Sequence, residues 1–161
     1  TAGKKGGPVS AFSINKADGT LKLINQADSG GDGPCHISLD ATGRMAMVAN
    51  YGGGSVASYQ IKDDGSIAGP VTFVQHEGSS VNPQRQKGPH AHSFNRSPDN
   101  RYGFVCDLGL DKVFTYQIDP AAGSFKRGES LGGHDRDRHR VETAAPDLDH
   151  PHRLPRRLCQ A

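Results

Sequence analysis

Charge of one sign is what this 161-residue chain lacks most plainly. Its 19 Lys and Arg stand against 17 Asp and Glu, too small an excess to point to nucleic acid or an acidic membrane as a partner. Cysteine is scarce. Cys35, Cys106 and Cys159 lie far apart with no C-x-x-C pair, which argues against a disulfide framework and fits a reducing compartment. Cys35 and Cys106 fall in strand-like runs and are expected to be small, buried apolar residues. No apolar run is long enough to span a bilayer, and no secretory signal is seen. Methionine occurs only at 45 and 47 and the chain opens on Thr1, so a natural N-terminus is expected upstream.

Hydrophobic residues make up 34% of the chain, and mean hydropathy is -0.63. What is abundant is punctuation: 21 glycines and 10 prolines, which favour many turns and short strands over long helices. PVSAFSI from Pro8 alternates, turns at Ala17-Asp18-Gly19 and returns as LKLINQ, an antiparallel hairpin. After SGGDG come CHISLD, RMAMVANY, SVASYQI and IAGPVTFVQ, each separated by Gly- or Asp-containing turns. The same order returns after residue 90 as HSFN, RYGFVCDL, KVFTYQI and SFK.

This is an internal repeat. Residues 43–61 lie over residues 100–118, matching Arg44 with Arg101, Val48 with Val105, Asn50 with Asp107, Tyr59 with Tyr116 and Ile61 with Ile118. Val9, Phe12 and Ile14 lie in turn over Val56, Tyr59 and Ile61. Repeats of about 40 to 50 residues with four short strands each are the signature of propeller blades. The expected fold is therefore all-β: a β-propeller of four-stranded antiparallel blades, with about two and a half blades present. One complete blade spans about 35 to 75, most of another about 90 to 127, and the outer half of an earlier one precedes them. Such an open set exposes apolar faces and strand edges.

Between the two copies lies a long insertion, QHEGSSVNPQRQKGPHAHSFN. It gathers His76, Glu77, Arg85, Gln86, Lys87, His90 and His92 in a Gly- and Pro-rich segment. Loops longer than about 12 residues without regular structure are uncommon in compact domains and usually functional or disordered; insertions in repeat proteins tend to collect on the binding face. His90 and His92 lie two apart, so on a strand they share a face while Ala91 points away. His36, in GPCHIS against GPHAHS, is read as holding a related place one blade earlier. Asn50 and Asp107 end equivalent strands and are expected to cap turns. Gly52, Gly53 and Gly54 have no helix after them, so a β-turn is expected there and not a phosphate cradle.

The pattern stops near Phe125. The chain divides into a repeat domain at 1–126 and a tail at 127–161 that carries 7 Arg, 6 acids and 4 of the 8 histidines. The favoured reading of the tail is out-of-frame translation of a GC-rich gene, which an in-frame genomic read with these codons would remove; the alternative is a natural disordered tail of mixed charge. His134, His139, His150 and His152 show no defined ligand spacing, and no metal site is expected from them.

GPCHISLDATGR, VANYGGGSV, QHEGSSVNPQRQKGPHAHS and CDLGLDKVFTYQID closely resemble the seven-bladed propeller lactonases of the bacterial 6-phosphogluconolactonase type, over roughly residues 8–126. The resemblance implies a parent about twice this length with a ring of seven blades. It further implies hydrolysis of 6-phospho-D-glucono-1,5-lactone to 6-phosphogluconate in the cytoplasmic pentose phosphate pathway, a sugar-phosphate lactone as small-molecule partner, no nucleic acid or membrane partner, and no metal or other cofactor. The chain lacks most of the ring, so site residues from later blades are absent.

Opening a lactone needs an activated water, donors for the developing oxyanion and a proton for the leaving alkoxide. The catalytic candidates are His92, His90, Glu77 and Arg85: imidazole titrates near neutrality, Glu77 is a base or an orienting carboxylate, and Arg85 stabilises the oxyanion or grips phosphate in bidentate fashion. The substrate-binding candidates are His36, His76, Lys87 and Gln86. Ordinary readings stand beside these: Glu77 as a loop salt bridge and Lys87 as an exposed loop cation. Two other functions remain open, a non-catalytic propeller that binds partners and a carboxymuconate-type lactonizing enzyme on the same fold.

Overall fold

The computed structural model describes residues 6–132. Ten strands account for its architecture: β1 (Pro8–Ile14), β2 (Leu21–Asp28), β3 (Pro34–Leu39), β4 (Met45–Asn50), β5 (Ser55–Gln60), β6 (Thr72–Gln75), β7 (Ala91–Arg96), β8 (Tyr102–Asp107), β9 (Lys112–Asp119) and β10 (Ser124–Gly132). They form three antiparallel sheets in which neighbours in sequence are neighbours in space: β1-β2, β3-β4-β5-β6 and β7-β8-β9-β10. This is the half blade, whole blade and second blade expected from the repeat. The second blade goes further than expected, because β10 continues to Gly132 and so supplies a full fourth strand. The expectations for the tail, its four histidines included, lie outside the described residues from residue 133 onward.

The packing follows from alternation. All six residues of β4 are buried, since this strand is covered on both faces. Met45, Met47 and Ala49 point into a seam shared with Phe94, Val105, Phe114, Tyr116 and Phe125 of the second blade. Ala46 and Val48 point the other way, toward Val9, Ala57 and Tyr59. A period of two sends successive side chains to opposite faces, so one short apolar strand holds two sheets together. Phe94, Tyr116 and Phe125 form a compact aromatic group with ring centroids 5.0 to 5.5 Å apart, tilted or edge-to-face as ring quadrupoles favour.

The turns at the lower end of the blades repeat as well. Asp40 accepts hydrogen bonds from the Thr42 hydroxyl and from the N–H groups of Thr42, Arg44 and Met45, closing the β3–β4 turn. One blade later Asn100 takes the left-handed conformation at φ 60°, which Asn tolerates better than most residues. Its side chain reaches back to donate to Asp40 Oδ2 at 3.1 Å and to accept from Ala41 N–H at 2.8 Å. A turn residue thus also binds one blade to the next.

Strands β3 and β7 are the first of their blades and pack against each other. Each carries a bulge at its start, at Cys35 and at His92. The bulges fix the register between blades: Pro34 pairs with Asn50 as Ala91 pairs with Asp107, and His36 with Ala49 as Ser93 with Cys106. The structural counterpart of His36 is therefore Ser93, and that of His92 is Cys35. The match of GPCHIS on GPHAHS is two residues out of step, because the Gly-Pro pair recurs at a different distance from the strand. Cys35 also departs from expectation. It is exposed, whereas Cys106 is buried; Cys35 falls on the same uncovered alternation of β3 as Ile37 and Leu39, both of them exposed.

Candidate active site

The β3 and β7 starts, the β4 and β8 ends, the turns after them and the insertion of residues 76–90 all lie at one end of the blades. Two glycines let the insertion lie close. A Cβ on Gly109 would fall 1.9 Å from Gly88 O and 2.8 Å from His90 N, and one on Gly54 would fall 2.3 Å from Pro89 O. Backbone cannot approach a side-chain-bearing residue that closely. The insertion is also tied to itself: Ser80 N donates to Gln86 O, Gln86 N to Asn82 O and Asn82 N to the Gln86 carbonyl oxygen Oε1. Gln86 Nε2 then donates to Leu108 O at 2.9 Å.

Three histidines come together here. His90 stacks on Tyr51 with ring centroids 4.7 Å apart and an interplanar angle of 18°, and His92 meets the same ring edge-on at 5.9 Å. His36 lies alongside: burial lowers its pKa first, and the neighbouring His92 charge lowers it further. Cys35 completes the group, its thiol donating to His92 O at 3.4 Å. Although the residue is exposed, its sulfur lies against the Ala49, Ala91 and His92 carbonyls, and this partial desolvation raises the Cys35 pKa, which keeps it a thiol at neutral pH.

The backbone assigns opposite proton positions to two of these rings. His90 Nδ1 lies 3.0 Å from Tyr51 O. A carbonyl only accepts, so Nδ1 carries a hydrogen, and in the neutral ring Nε2 keeps its lone pair. His36 Nδ1 accepts from Phe94 N–H at 3.3 Å, so in the neutral ring the hydrogen sits on Nε2. One imidazole is thereby prepared as a base and the other as a donor.

The remaining candidates are placed differently. Glu77, Arg85 and Lys87 are exposed on the insertion, and none enters an ion pair among the described residues. Gln86 spends its side chain on Asn82 N and Leu108 O, holding the loop. His76 is withdrawn from solvent: it is 1% exposed, with Nδ1 2.6 Å from Asp107 Oδ2 and Nε2 2.7 Å from the Tyr116 hydroxyl. It therefore lies in the seam between blades and does not face a ligand. Asp107 caps its turn as expected by accepting from Leu110 N–H at 3.1 Å. Asn50 does not; its amide donates to Ser29 O and Ser55 Oγ. Tyr51 and Cys35 are the members of the site that sequence reasoning passed over; an aromatic directly after the apolar run of β4, at the end where the histidines gather, was the available signal for Tyr51.

An open depression of about 540 Å³ lined by Ser38, Leu39, Asn95, Arg96 and Pro98 lies at the other end of β3 and β7. It contains no histidine, and Arg96 there donates to Ser97 O, so the chemistry belongs with the histidine end.

Successive four-stranded meanders packed face to face around their first strands define a β-propeller, here with a histidine cluster at the mouth. Residues 1–137 match the family described as lactonase with a 7-bladed β-propeller, and the chain belongs to that family. It is 36% identical over 112 residues to the 6-phosphogluconolactonase of Bacillus subtilis, covering 70% of this chain and 32% of that protein. Among solved structures it resembles a protein of Bacteroides fragilis (TM-score 0.74, 31% identity, 80% of this chain and 38% of that one). It also resembles the periplasmic gluconolactonase of Pseudomonas aeruginosa (TM-score 0.68, 38% identity, 74% of this chain and 33% of that one). The chain thus spans about a third of the length of the curated relatives it matches.

Proposed function

We propose that this chain carries the histidine-bearing blades of an enzyme that hydrolyses 6-phospho-D-glucono-1,5-lactone to 6-phosphogluconate. The observation that carries the reading is the pair of rings held in opposite tautomers, His90 with a free Nε2 lone pair and His36 with an Nε2–H. In this reading His90 Nε2 takes a proton from water as the oxygen adds to the lactone carbonyl carbon. The His36 Nε2–H donates to the carbonyl oxygen as negative charge develops there. The carbon–ring-oxygen bond then breaks, and the proton held by His90 passes to the departing alkoxide. His92, whose edge abuts Tyr51, shares the pocket wall and the proton traffic. Arg85 and Lys87 are the cations available for the phosphate, and Glu77 is the carboxylate of the same loop.

The test is the decay of the lactone above its spontaneous rate, with the purified chain and its His90→Ala and His92→Ala variants. The expected result is a loss of about a hundredfold or more in each variant. Equal rates for wild type and both variants, in this chain and in a family-length chain carrying the same two blades, would leave a non-catalytic binding module. Similarity to a gluconolactonase favours comparing the unphosphorylated lactone in the same assay. Arg85→Ala should raise KM for the phosphorylated substrate and leave the unphosphorylated one unaffected.

A further inference from the structure

The two seams between blades carry one device in two chemistries. Ser29 and His76 each follow the last strand of a blade, and their N–H groups bond to equivalent carbonyls, Gly7 O and Gly54 O. Opposite them stand Asn50 with Tyr59 in the first seam, and Asp107 with Tyr116 in the second. The first seam is neutral: Asn50 Nδ2 donates to Ser29 O at 3.2 Å and the Tyr59 hydroxyl to Asp28 O at 2.8 Å. The second is built from ionisable groups, His76 bonding both Asp107 and Tyr116, with exposures of 1%, 2% and 0% for His76, Asp107 and Tyr116.

Joining blades does not require a carboxylate, since an amide does it one repeat earlier. Burying ionisable groups is costly unless every partner is in place, and the second seam supplies one contact that the first does not. The difference is at the other carboxylate oxygen. Asp107 Oδ1 accepts His90 N–H at 2.8 Å as well as Leu110 N–H, whereas Asn50 Oδ1 has no hydrogen-bond partner among the described residues. The imidazole whose Nδ1 bonds Tyr51 O is thus fixed at its own backbone by Asp107, and Asp107 is fixed on its far side by His76.

We infer that Asp107, braced by His76 and Tyr116, is a positioning residue that holds His90 against Tyr51 in its Nδ1–H tautomer. As a positioning role it rests on the proposed hydrolysis. Its geometric part stands without that reaction, so two readouts separate them. Imidazole nitrogen NMR on the chain reports the His90 tautomer, and hydrogen exchange reports protection of its amide. Asp107→Ala should abolish that protection, turn His90 into a mixture of tautomers and lower kcat roughly a hundredfold with KM little changed. The double variant His76→Ser with Asp107→Asn copies the first seam while keeping Oδ1 as acceptor, and should retain both the protected amide and the Nδ1–H tautomer. A folded Asp107→Ala variant with an unchanged His90 signal overturns the inference, as does loss of that signal in the double variant. If Asp107→Ala fails to fold, the double variant decides alone, with retention in support and loss against. A wild-type chain without lactone turnover removes the proposed reaction and leaves the NMR result to stand by itself.

Discussion

Tyr116 stands where Tyr59 stands one blade earlier, yet the two hydroxyls end on different acceptors. Tyr59 donates to the backbone carbonyl of Asp28 at 2.8 Å, and Tyr116 meets His76 Nε2 at 2.7 Å. Burial raises both phenols to about 12, so each keeps its proton near neutral pH and serves as a donor. The consequence of deleting each hydroxyl then depends on what it leaves behind.

Tyr116→Phe strands a fully buried ring nitrogen beside a carboxylate, while Tyr59→Phe frees a carbonyl of the exposed residue Asp28 for water to reach. An unsatisfied buried group costs about 1 to 3 kcal/mol, and a lost but replaceable hydrogen bond about 1. Urea unfolding should therefore show a larger loss for Tyr116→Phe than for Tyr59→Phe. Equal losses would mean that water reaches both seams alike.

Asp40 gives the chain an acid-sensitive turn. Burial works against its charged form, but hydrogen bonds from the Thr42 side chain and backbone, from Met45 N–H and from Asn100 outweigh it and lower its pKa from 3.8 to about 2. A carboxylate with a depressed folded pKa contributes stability above its unfolded value and loses it as pH falls through the folded one. The stability advantage of wild type over Asp40→Asn should be on the order of 1 kcal/mol above pH ~4, allowing for solvent screening, and should shrink toward pH ~2. Denaturation followed across that range checks the sign.

Ten strands and their grouping could be read from sequence because both seams impose the same residue types at the same spacing, as Tyr59 and Tyr116 or Val48 and Val105 show. What could not be read was long in range or small in scale. His76 looks like a loop ligand until Asp107, 31 residues on, is known to lie beside it. The bulges at Cys35 and His92 leave no mark in composition, and they decide that His92 corresponds to Cys35. The tautomers of His36 and His90 depend on Phe94 N–H and Tyr51 O, which no pattern of side chains discloses.

Gln86 closes the insertion on itself and on Leu108, and the loop's two cations, Arg85 and Lys87, are exposed on either side of it. Gln86→Ala removes the bonds to Asn82 N and Leu108 O. Limited trypsin digestion should then cut after Arg85 or Lys87 several-fold faster than in wild type, since local opening sets the rate of such cleavage. Gly109→Ala should do the same by forcing the added methyl against Gly88 O. Unchanged cleavage in both would show that these contacts do not hold the loop.

His36 and His92 are coupled in one direction that can be measured. Burial first and the His92 charge second lower the His36 pKa below its ordinary 6.5. Protonating His36 therefore costs more in the folded chain than in the unfolded one, and its contribution to stability declines as pH falls from 6.5 through the lowered value. His92→Asn removes the repulsion but leaves the burial. NMR titration should show His36 moving part of the way back toward 6.5; a fall in its pKa would contradict the proximity of the two rings.

Ile37 and Phe94 occupy the same place in successive first strands, yet Ile37 is 54% exposed and Phe94 is 0% exposed. Phe94 lies over Met45 and Met47 of the blade before it. Ile37 has no such sheet beneath it among the described residues, where only β1 and β2 of the preceding unit are present. Identical repeat positions should thus respond unequally to truncation. Phe94→Ala should cost about 3 to 5 kcal/mol through lost burial and the cavity left behind, and Ile37→Ala well under about 1. Joining a longer family chain that supplies the preceding inner strands should raise the cost of Ile37→Ala toward that of a buried isoleucine, about 2 kcal/mol or more. A cost that stayed small there would mean that the face of β3 is not a seam and that the repeat does not continue toward the N-terminal side as it does between the two whole blades.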